Sequence, residues 1–265
     1  MDKTHRNRIL TALVALPILI WIILWAPFFI FTSFVFLIGF LASFEHCRLW
    51  KVPHDGLLFL YTLFLSLIVL VAYAIKSPVF GLTLAFFFLA IYFIWAYGHK
   101  PELASFLPAT SLNLVYPALL LGHAFSFLSL PQGRFLLLWT LLIVFASDTG
   151  AFYIGCNFGK HKLYPAVSPK KSWEGLGGAL GAAVILGVIT AYFLPISPFK
   201  TVFLAFMLAL TEQTGDFFES VIKRHVGCKD SGQILPGHGG LLDRIDGVLF
   251  ALPVSYYCWQ WFLGK

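Results

Sequence analysis

Long apolar runs, separated by short polar breaks, constrain the fold of this chain more than any other feature. Breaks at Pro, Gly and charged clusters leave nine candidate spans, each close to the ~20 residues that a helix needs to cross a bilayer. The spans cover residues 9–25, 28–46, 57–75, 78–97, 104–128, 135–157, 174–194, 200–222 and 245–263. Only 11% of the residues are charged, whereas a soluble domain carries about 25%. The sequence therefore predicts an all-α integral membrane protein with about nine transmembrane helices.

The organisation of the chain is predicted to be a single polytopic membrane domain over residues 1–265. Within it, residues 1–133 supply the more apolar N-terminal helices. Residues 134–265 supply the helices that carry acidic side chains and two long polar loops, 158–173 and 223–244. Any catalytic chemistry is therefore expected in the C-terminal half.

The Lys and Arg residues are distributed unevenly between the two sides of the membrane. With nine spans, 14 of the 18 fall on one side. The other side holds only Lys76, Arg134, Lys200 and Lys265. Because cytoplasmic loops are enriched in Lys and Arg, the N-terminus and both polar loops are predicted to be cytoplasmic. A basic surface there suits anionic headgroups or nucleotide phosphates, although topology alone also produces this bias.

Six of the acidic residues that lie within the predicted spans or at their ends are candidate site residues, because a charge there is costly and marks a functional site by default. They are Asp148 in the sixth span, Glu212, Asp216 and Glu219 in the eighth, and Asp243 and Asp246 at the start of the ninth. The i, i+4, i+7 spacing in the eighth span puts its three acids on one helix face. We expect all six to line a polar cavity open to the cytoplasm. They suit Mg²⁺, which prefers oxygen ligands, but a proton or sodium relay or internal salt bridges would use the same acids.

The two polar loops favour phosphate chemistry over a pure ion relay. The first contains four Lys residues, and the second combines basic residues with Gly239 and Gly240. Paired glycines let backbone N–H groups approach an anion closely. Carboxylates for a metal, beside cations and glycines for phosphate, indicate phosphoryl or nucleotidyl transfer.

The segment SVIKRHVGCKDSGQILPGHGGLLDRID, residues 220–246, resembles the motif of the phosphatidate cytidylyltransferase (CDP-diacylglycerol synthase) family. That motif reads S-x-x-K-R, four residues, K-D, and then H-G-G-x-x-D-R-x-D. Every fixed position is filled, by Ser220, Lys223, Arg224, Lys229, Asp230, His238, Gly239, Gly240, Asp243, Arg244 and Asp246. The stretches DTGAFYIG, FGKHKLYPAVSPKKSWEG and TGDFFES also resemble the family. The resemblance thus covers about residues 145–247.

The resemblance implies that CTP and phosphatidic acid are converted to CDP-diacylglycerol and pyrophosphate with Mg²⁺; a second cation is left open. It also implies a membrane-embedded helical fold, contact with the lipid bilayer and a homodimer, and no nucleic-acid partner. Short length and one-sided charge add the expectation of a bacterial inner (plasma) membrane, with the active site facing the cytoplasm.

The matching residues are given roles on the same basis. The expected catalytic residues are Asp216, Lys223, Arg224, Asp243, Arg244 and Asp246. Metal binding is expected from Asp216, Asp243 and Asp246, with Asp148 and Glu219 as further candidates. Substrate binding is expected from Lys170, Lys171, Ser172, Ser220, Lys229, His238, Gly239 and Gly240. The hypothetical mechanism is in-line attack of a phosphatidate oxygen on the α-phosphorus of CTP.

Three alternatives stay open. The chain could be a cytidylyltransferase or CTP-dependent kinase for another membrane lipid, a cation-coupled transporter, or a silent scaffold. The Gly- and Lys-rich loops disfavour the transporter, and the complete set of motif acids disfavours the scaffold.

Overall fold

The structure is a computed structural model, and it describes residues 16–53, 56–234 and 239–264. Its helices and strands, in chain order, are α1 (Phe28–Leu49), α2 (Leu57–Ala74), α3 (Pro78–Tyr97), α4 (Leu107–Asn113), α5 (Leu120–Ser126), α6 (Gly133–Phe158), β1 (Lys162–Tyr164), β2 (Ser168–Ser172), α7 (Trp173–Thr190), α8 (Pro198–His225) and α9 (Leu242–Phe262). Residues 16–24 are also helical. Residues 9–15 of the predicted span 9–25, and His238 of the motif, lie outside the described residues.

Six segments of the described chain are long and apolar enough to cross a membrane. They are Phe28–Leu49, Leu57–Ala74, Pro78–Tyr97, Pro101–Ser129, Gly133–Phe158 and Trp173–Phe193. The expectation of an all-α integral membrane protein is therefore confirmed. Helices α8 and α9 do not meet that criterion, because their polar residues lower their hydropathy. The count of nine spans and the cytoplasmic cavity stay predictions.

The span Pro101–Ser129 is an interrupted helix rather than a regular one. It runs through a 3₁₀ turn (Pro101–Phe106), α4, a π-helical turn (Leu114–Leu119), α5 and a second 3₁₀ turn (Phe127–Ser129). Pro117 lies inside the π turn, and because proline has no N–H it cannot continue the α-helical hydrogen bonding.

The chain divides into two compact units. The first unit contains the described residues up to Arg134 together with Asp230–Asp243, and the second contains Phe135–Lys229 and Arg244 onwards. The first unit therefore includes Asp230–Asp243, which we call the motif loop. This loop is distant in sequence from the helices of the first unit.

In the first unit, α2 packs on α3 through small and branched residues. Leu65, Val69, Ala85 and Leu89 are fully buried. Gly81 of α3 lies so close to Ala72 that a Cβ atom there would overlap the Ala72 methyl group. Large side chains on the opposite face of α3, such as Phe80, are exposed. An apolar outer face over a small-residue interface is typical of a membrane helix.

Helices α6 to α9 form the second unit around a similar interior. Ala179 and Ala183 of α7 and Leu204 and Leu208 of α8 are completely buried. A hydrogen bond of 2.6 Å joins the hydroxyl groups of Thr140 and Ser255, which lie on α6 and α9. Trp139 and Trp259 pack edge to face, with ring centroids 5.4 Å apart. These contacts pack α6 against α9, the helices that carry Asp148 and Asp246.

A short antiparallel hairpin, β1–β2, occupies the polar loop before α7. It ends at Ser172, whose Oγ accepts a hydrogen bond of 3.1 Å from the Gly175 N–H and so caps α7. A side-chain oxygen at this position satisfies one of the free N–H groups of the first helical turn. Ser172, which is predicted to bind substrate, thus caps the helix that follows it. Lys171 is the residue before this cap.

Candidate active site

The second unit gathers charged side chains from several elements that are far apart in sequence. They are Asp148 on α6, Lys171 on β2, Asp216, Glu219 and Lys223 on α8, and Arg244 and Asp246 on α9. All of these were predicted from the sequence as site residues. We refer to this set as the charged cluster.

Lys171 and Asp216 form the central ion pair of the charged cluster. The Lys171 Nζ lies 2.8 Å from Asp216 Oδ2 and 4.1 Å from the centroid of the Phe217 ring. The Ser220 hydroxyl donates a 3.4 Å hydrogen bond to Asp216 Oδ1. The two charged side chains are 17% and 31% exposed, so the pair is neither fully solvated nor sealed from a ligand.

Asp246 and Glu219 lie next to this pair. Their side chains interact with each other, and the charges of Asp216 and Lys223 also act on Asp246. Glu219 is completely buried, and its Oε2 is 3.5 Å from Lys223 Nζ. Neighbouring carboxylates repel each other, so a cation beside them is electrostatically favoured.

Asp148 supplies a further carboxylate from α6. It is exposed and interacts electrostatically with Asp216, Arg244 and Lys171. The neighbouring Glu212 has a different environment, since its Oε2 accepts hydrogen bonds from the Ser147 hydroxyl at 2.6 Å and the Gln213 amide at 3.0 Å. Glu212 is 3% exposed and serves to join α6 and α8, whereas Asp148 is accessible to a ligand.

Arg224 holds the polar loop that precedes α7. Its Nε donates to the Val167 carbonyl at 3.1 Å, and Nη1 donates to the Cys228 carbonyl at 3.1 Å. The guanidinium group thus connects the end of α8 to the hairpin that carries Lys171. Lys170 and Lys229, two other predicted phosphate ligands, are exposed.

Asp243 belongs to the first unit, where it organises the motif loop. Its carboxylate accepts hydrogen bonds from the Ser231 N–H at 3.0 Å and the Gly240 N–H at 3.0 Å. Its own N–H donates to the Ser231 hydroxyl at 3.3 Å. Gly239 has a φ of +82°, a conformation that glycine adopts without steric cost. The predicted phosphate-binding glycines therefore form a turn whose Gly240 N–H points at Asp243.

Glu45 is a residue of this loop environment that the sequence-based prediction missed. It lies on α1 and is 1% exposed, and its Oε2 accepts a 2.7 Å hydrogen bond from the Leu242 N–H. The signal that would have found it is the rule applied to the other acids, because Glu45 lies inside the predicted span 28–46.

The carboxylates of the charged cluster fit a divalent cation by their chemistry. Among the described residues, no group of three or more His, Cys, Asp or Glu side chains is arranged to hold a metal. Mg²⁺, however, usually binds through one or two carboxylates together with waters and substrate phosphates. Asp216 and Asp246, which interact with each other, match that pattern.

Comparison with known proteins decides the family. The sequence profile of the Cytidylyltransferase family matches residues 6–262. The chain belongs to this family. The match extends over both units, so it includes the N-terminal helices as well as the motif.

Individual relatives carry a more specific name. The phosphatidate cytidylyltransferase of Mycobacterium leprae (strain TN) is 47% identical over 117 residues, which is 44% of this chain and 38% of that protein. The phosphatidate cytidylyltransferase of Staphylococcus aureus (strain COL) is 43% identical over 136 residues, 51% of this chain and 52% of that protein. The aligned region thus spans about half of these relatives or less.

Proposed function

We propose that this member of the Cytidylyltransferase family is a phosphatidate cytidylyltransferase, which makes CDP-diacylglycerol and pyrophosphate from CTP and phosphatidic acid. The observation that carries the proposal is the charged cluster, in which the Lys171–Asp216 ion pair lies beside Asp246 and Glu219. The names of the similar proteins support the same substrates.

Chemically, the reaction needs few covalent steps from the protein. A phosphatidate oxygen forms a bond to the α-phosphorus of CTP while the bond from that phosphorus to the β-phosphate oxygen breaks. Pyrophosphate leaves with the bonding electrons, and no enzyme-bound intermediate is needed because the attacking phosphate is already an anion. The protein therefore acts by positioning the two phosphates and neutralising their charge.

Asp216 and Asp246 would hold Mg²⁺; Asp148 and Glu219, which interact with these two residues, and Asp243 of the motif are further candidates. When bound, the ion would neutralise and orient phosphate oxygens. Lys171, Lys223 and Arg244 would contact phosphate oxygens directly, because they surround the carboxylates. A second cation, a homodimer and a bacterial inner membrane location with a cytoplasmic site are further parts of this proposal.

The test uses the full chain purified in detergent, with CTP, Mg²⁺ and phosphatidic acid. We expect pyrophosphate release that requires all three, together with a lipid product of the mass of CDP-diacylglycerol. Faster turnover of a polyprenyl phosphate or another lipid phosphate would assign a different lipid. Cation-dependent flux in liposomes without pyrophosphate release would show that the protein is a transporter and not an enzyme.

Asp246→Asn is the sharpest single substitution for the metal-binding role. Loss of the charge should lower turnover by at least about 100-fold, the scale seen when one electrostatic contributor to a transition state is removed. Glu102→Gln is the matched control, because Glu102 is an exposed acid outside the charged cluster. Near-normal turnover of folded Asp246→Asn protein would refute the role.

A further inference from the structure

Glu45 has an environment that is unusual for a carboxylate in a membrane helix. It lies in the last two turns of α1 and is 1% exposed. Burying an ionised carboxylate costs several kcal/mol unless hydrogen-bond donors compensate, an estimate of about 2–7 kcal/mol even for a neutral polar group. Its partners should therefore identify what it is for.

The partner of Glu45 is the first residue of α9. The Leu242 N–H donates to Oε2 at 2.7 Å, across 197 positions of the chain. The first N–H groups of a helix have no acceptor within the helix, and the helix dipole makes this end positive. The Glu45 carboxylate therefore supplies from α1 what a capping side chain normally supplies locally.

Two glycines of the motif loop allow this contact. A Cβ atom on Gly232 would overlap Glu45 Oε1, and a Cβ atom on Gly240 would come within 2.9 Å of Oε2. Segments on both sides of the loop thus close over the carboxylate. The approach of Glu45 explains why both positions carry glycine, in addition to any approach of a ligand.

The contact continues into the Asp243 network. Gly240, which approaches Glu45, and Ser231, the chain neighbour of Gly232, are the residues whose N–H groups bind the Asp243 carboxylate. Glu45 and Asp243 therefore hold the same turn from two sides. A change at Glu45 would release Leu242, the residue that immediately precedes Asp243, and would loosen the loop that carries the motif.

We propose that Glu45 is a positioning residue, which fixes the start of α9 and the described parts of the motif loop, residues 230–234 and 239–243, without touching substrate. Its effect on catalysis rests on the proposed function, because that function places the motif at the active site. Its effect on the loop does not depend on any activity. The two effects can be measured separately on the same variants.

The experiment compares Glu45→Gln, Glu45→Met and Ser43→Ala in the full chain. Gln keeps an oxygen acceptor for the Leu242 N–H, whereas Met fills a similar volume without one. Ser43 is the matched control, since it is completely buried on the same helix and its hydroxyl makes no hydrogen bond within the described residues.

The first measurement is amide hydrogen exchange of residues 239–246 in detergent. Charge-assisted hydrogen bonds are roughly twice as strong as neutral ones, so Glu45→Gln should speed exchange about fivefold. Glu45→Met should speed it at least about tenfold, because no acceptor remains. Ser43→Ala should match the wild type. Wild-type exchange in Glu45→Gln and Glu45→Met would overturn the proposal; if the Met variant does not fold, wild-type exchange in the Gln variant overturns it alone.

The second measurement is turnover at varied CTP and Mg²⁺. A displaced motif loop should lower kcat about 30-fold or more in Glu45→Met, with substantial rescue in Glu45→Gln, since misplacement of about 1 Å can cost roughly 100-fold. A merely structural residue would leave kcat, KM and the Mg²⁺ requirement of the folded fraction unchanged, and that result would reduce Glu45 to a stability role. An inactive wild type would refute the proposed function, while the exchange measurement would still decide the role of Glu45.

Discussion

At the scale of single residues, the Lys171–Asp216 ion pair is the contact that most directly links structure to chemistry. Lys171 is one of four Lys residues in its loop, but its ammonium group lies 2.8 Å from a carboxylate of the charged cluster and over the Phe217 ring. Lys162, on the same hairpin, is exposed. The structure thus gives Lys171 and Lys162 different environments, although the sequence alone does not distinguish them.

Lys171→Met should lower turnover by roughly 100-fold, because a cation that neutralises phosphate charge would be lost from a partly buried site. Lys162→Met is the control and should change turnover by less than about twofold, as expected for an exposed surface position. Both are measured as pyrophosphate release at saturating CTP. Equal effects of the two substitutions would show that the loop contributes only general positive charge.

At the same scale, local sequence patterns predict several site residues but not their long-range partners. The acids of α8 could be predicted because their helical spacing is local, and the motif pattern identified Asp246. The partnership of Arg224 with the Val167 carbonyl spans 57 positions, and no local pattern encodes it. Glu45 was detectable as a charge within an apolar span, but its partner Leu242 depends on the tertiary fold.

At the scale of elements, α8 and α9 approach so closely that their backbones touch beside the charged cluster. A Cβ atom on Gly215 would come within 2.6 Å of the Asp246 carbonyl oxygen and 3.0 Å of Gly247 Cα. Neither neighbour is a flexible side chain that could move aside. This backbone contact therefore sets the separation of the helices that carry Asp216 and Asp246.

Gly215→Ala should destabilise the protein by about 1–3 kcal/mol, the usual cost of an extra methyl group in a packed interior, and should reduce turnover. Gly181→Ala is the matched control on α7, where an added Cβ would meet no atom within 4 Å. Thermal unfolding in one detergent and pyrophosphate release report the two effects. The proposed constraint is wrong if both variants unfold at the same temperature.

At the scale of the whole molecule, the distribution of Lys and Arg predicts the topology. Nine spans would place the hairpin 162–172 in the cytoplasm and the connection between α7 and α8 on the opposite side. The described residues include six segments that satisfy simple criteria for crossing a membrane. The hairpin and that connection flank α7, so their accessibility from the two sides of the membrane tests the predicted orientation directly.

Ala166→Cys and Pro195→Cys, each introduced after the four native free Cys residues have been changed to Ser, provide that test, since both positions are exposed and lie in the two connections. A membrane-impermeant maleimide should label Ala166→Cys only in inside-out vesicles and Pro195→Cys only in right-side-out vesicles. The opposite pattern would invert the orientation. Labelling of both from one side would remove a span between them and contradict an odd span count.

The buried contact of Glu45 has a consequence for synthesis of the chain. Its partner, the Leu242 N–H, lies 197 residues later, and chains grow at about 5–20 residues per second. For a time on the order of ten seconds or more at that rate, the nascent chain carries a carboxylate in α1 without the group that later compensates it. The first helices should therefore remain near water, or with the insertion machinery, until the motif loop emerges.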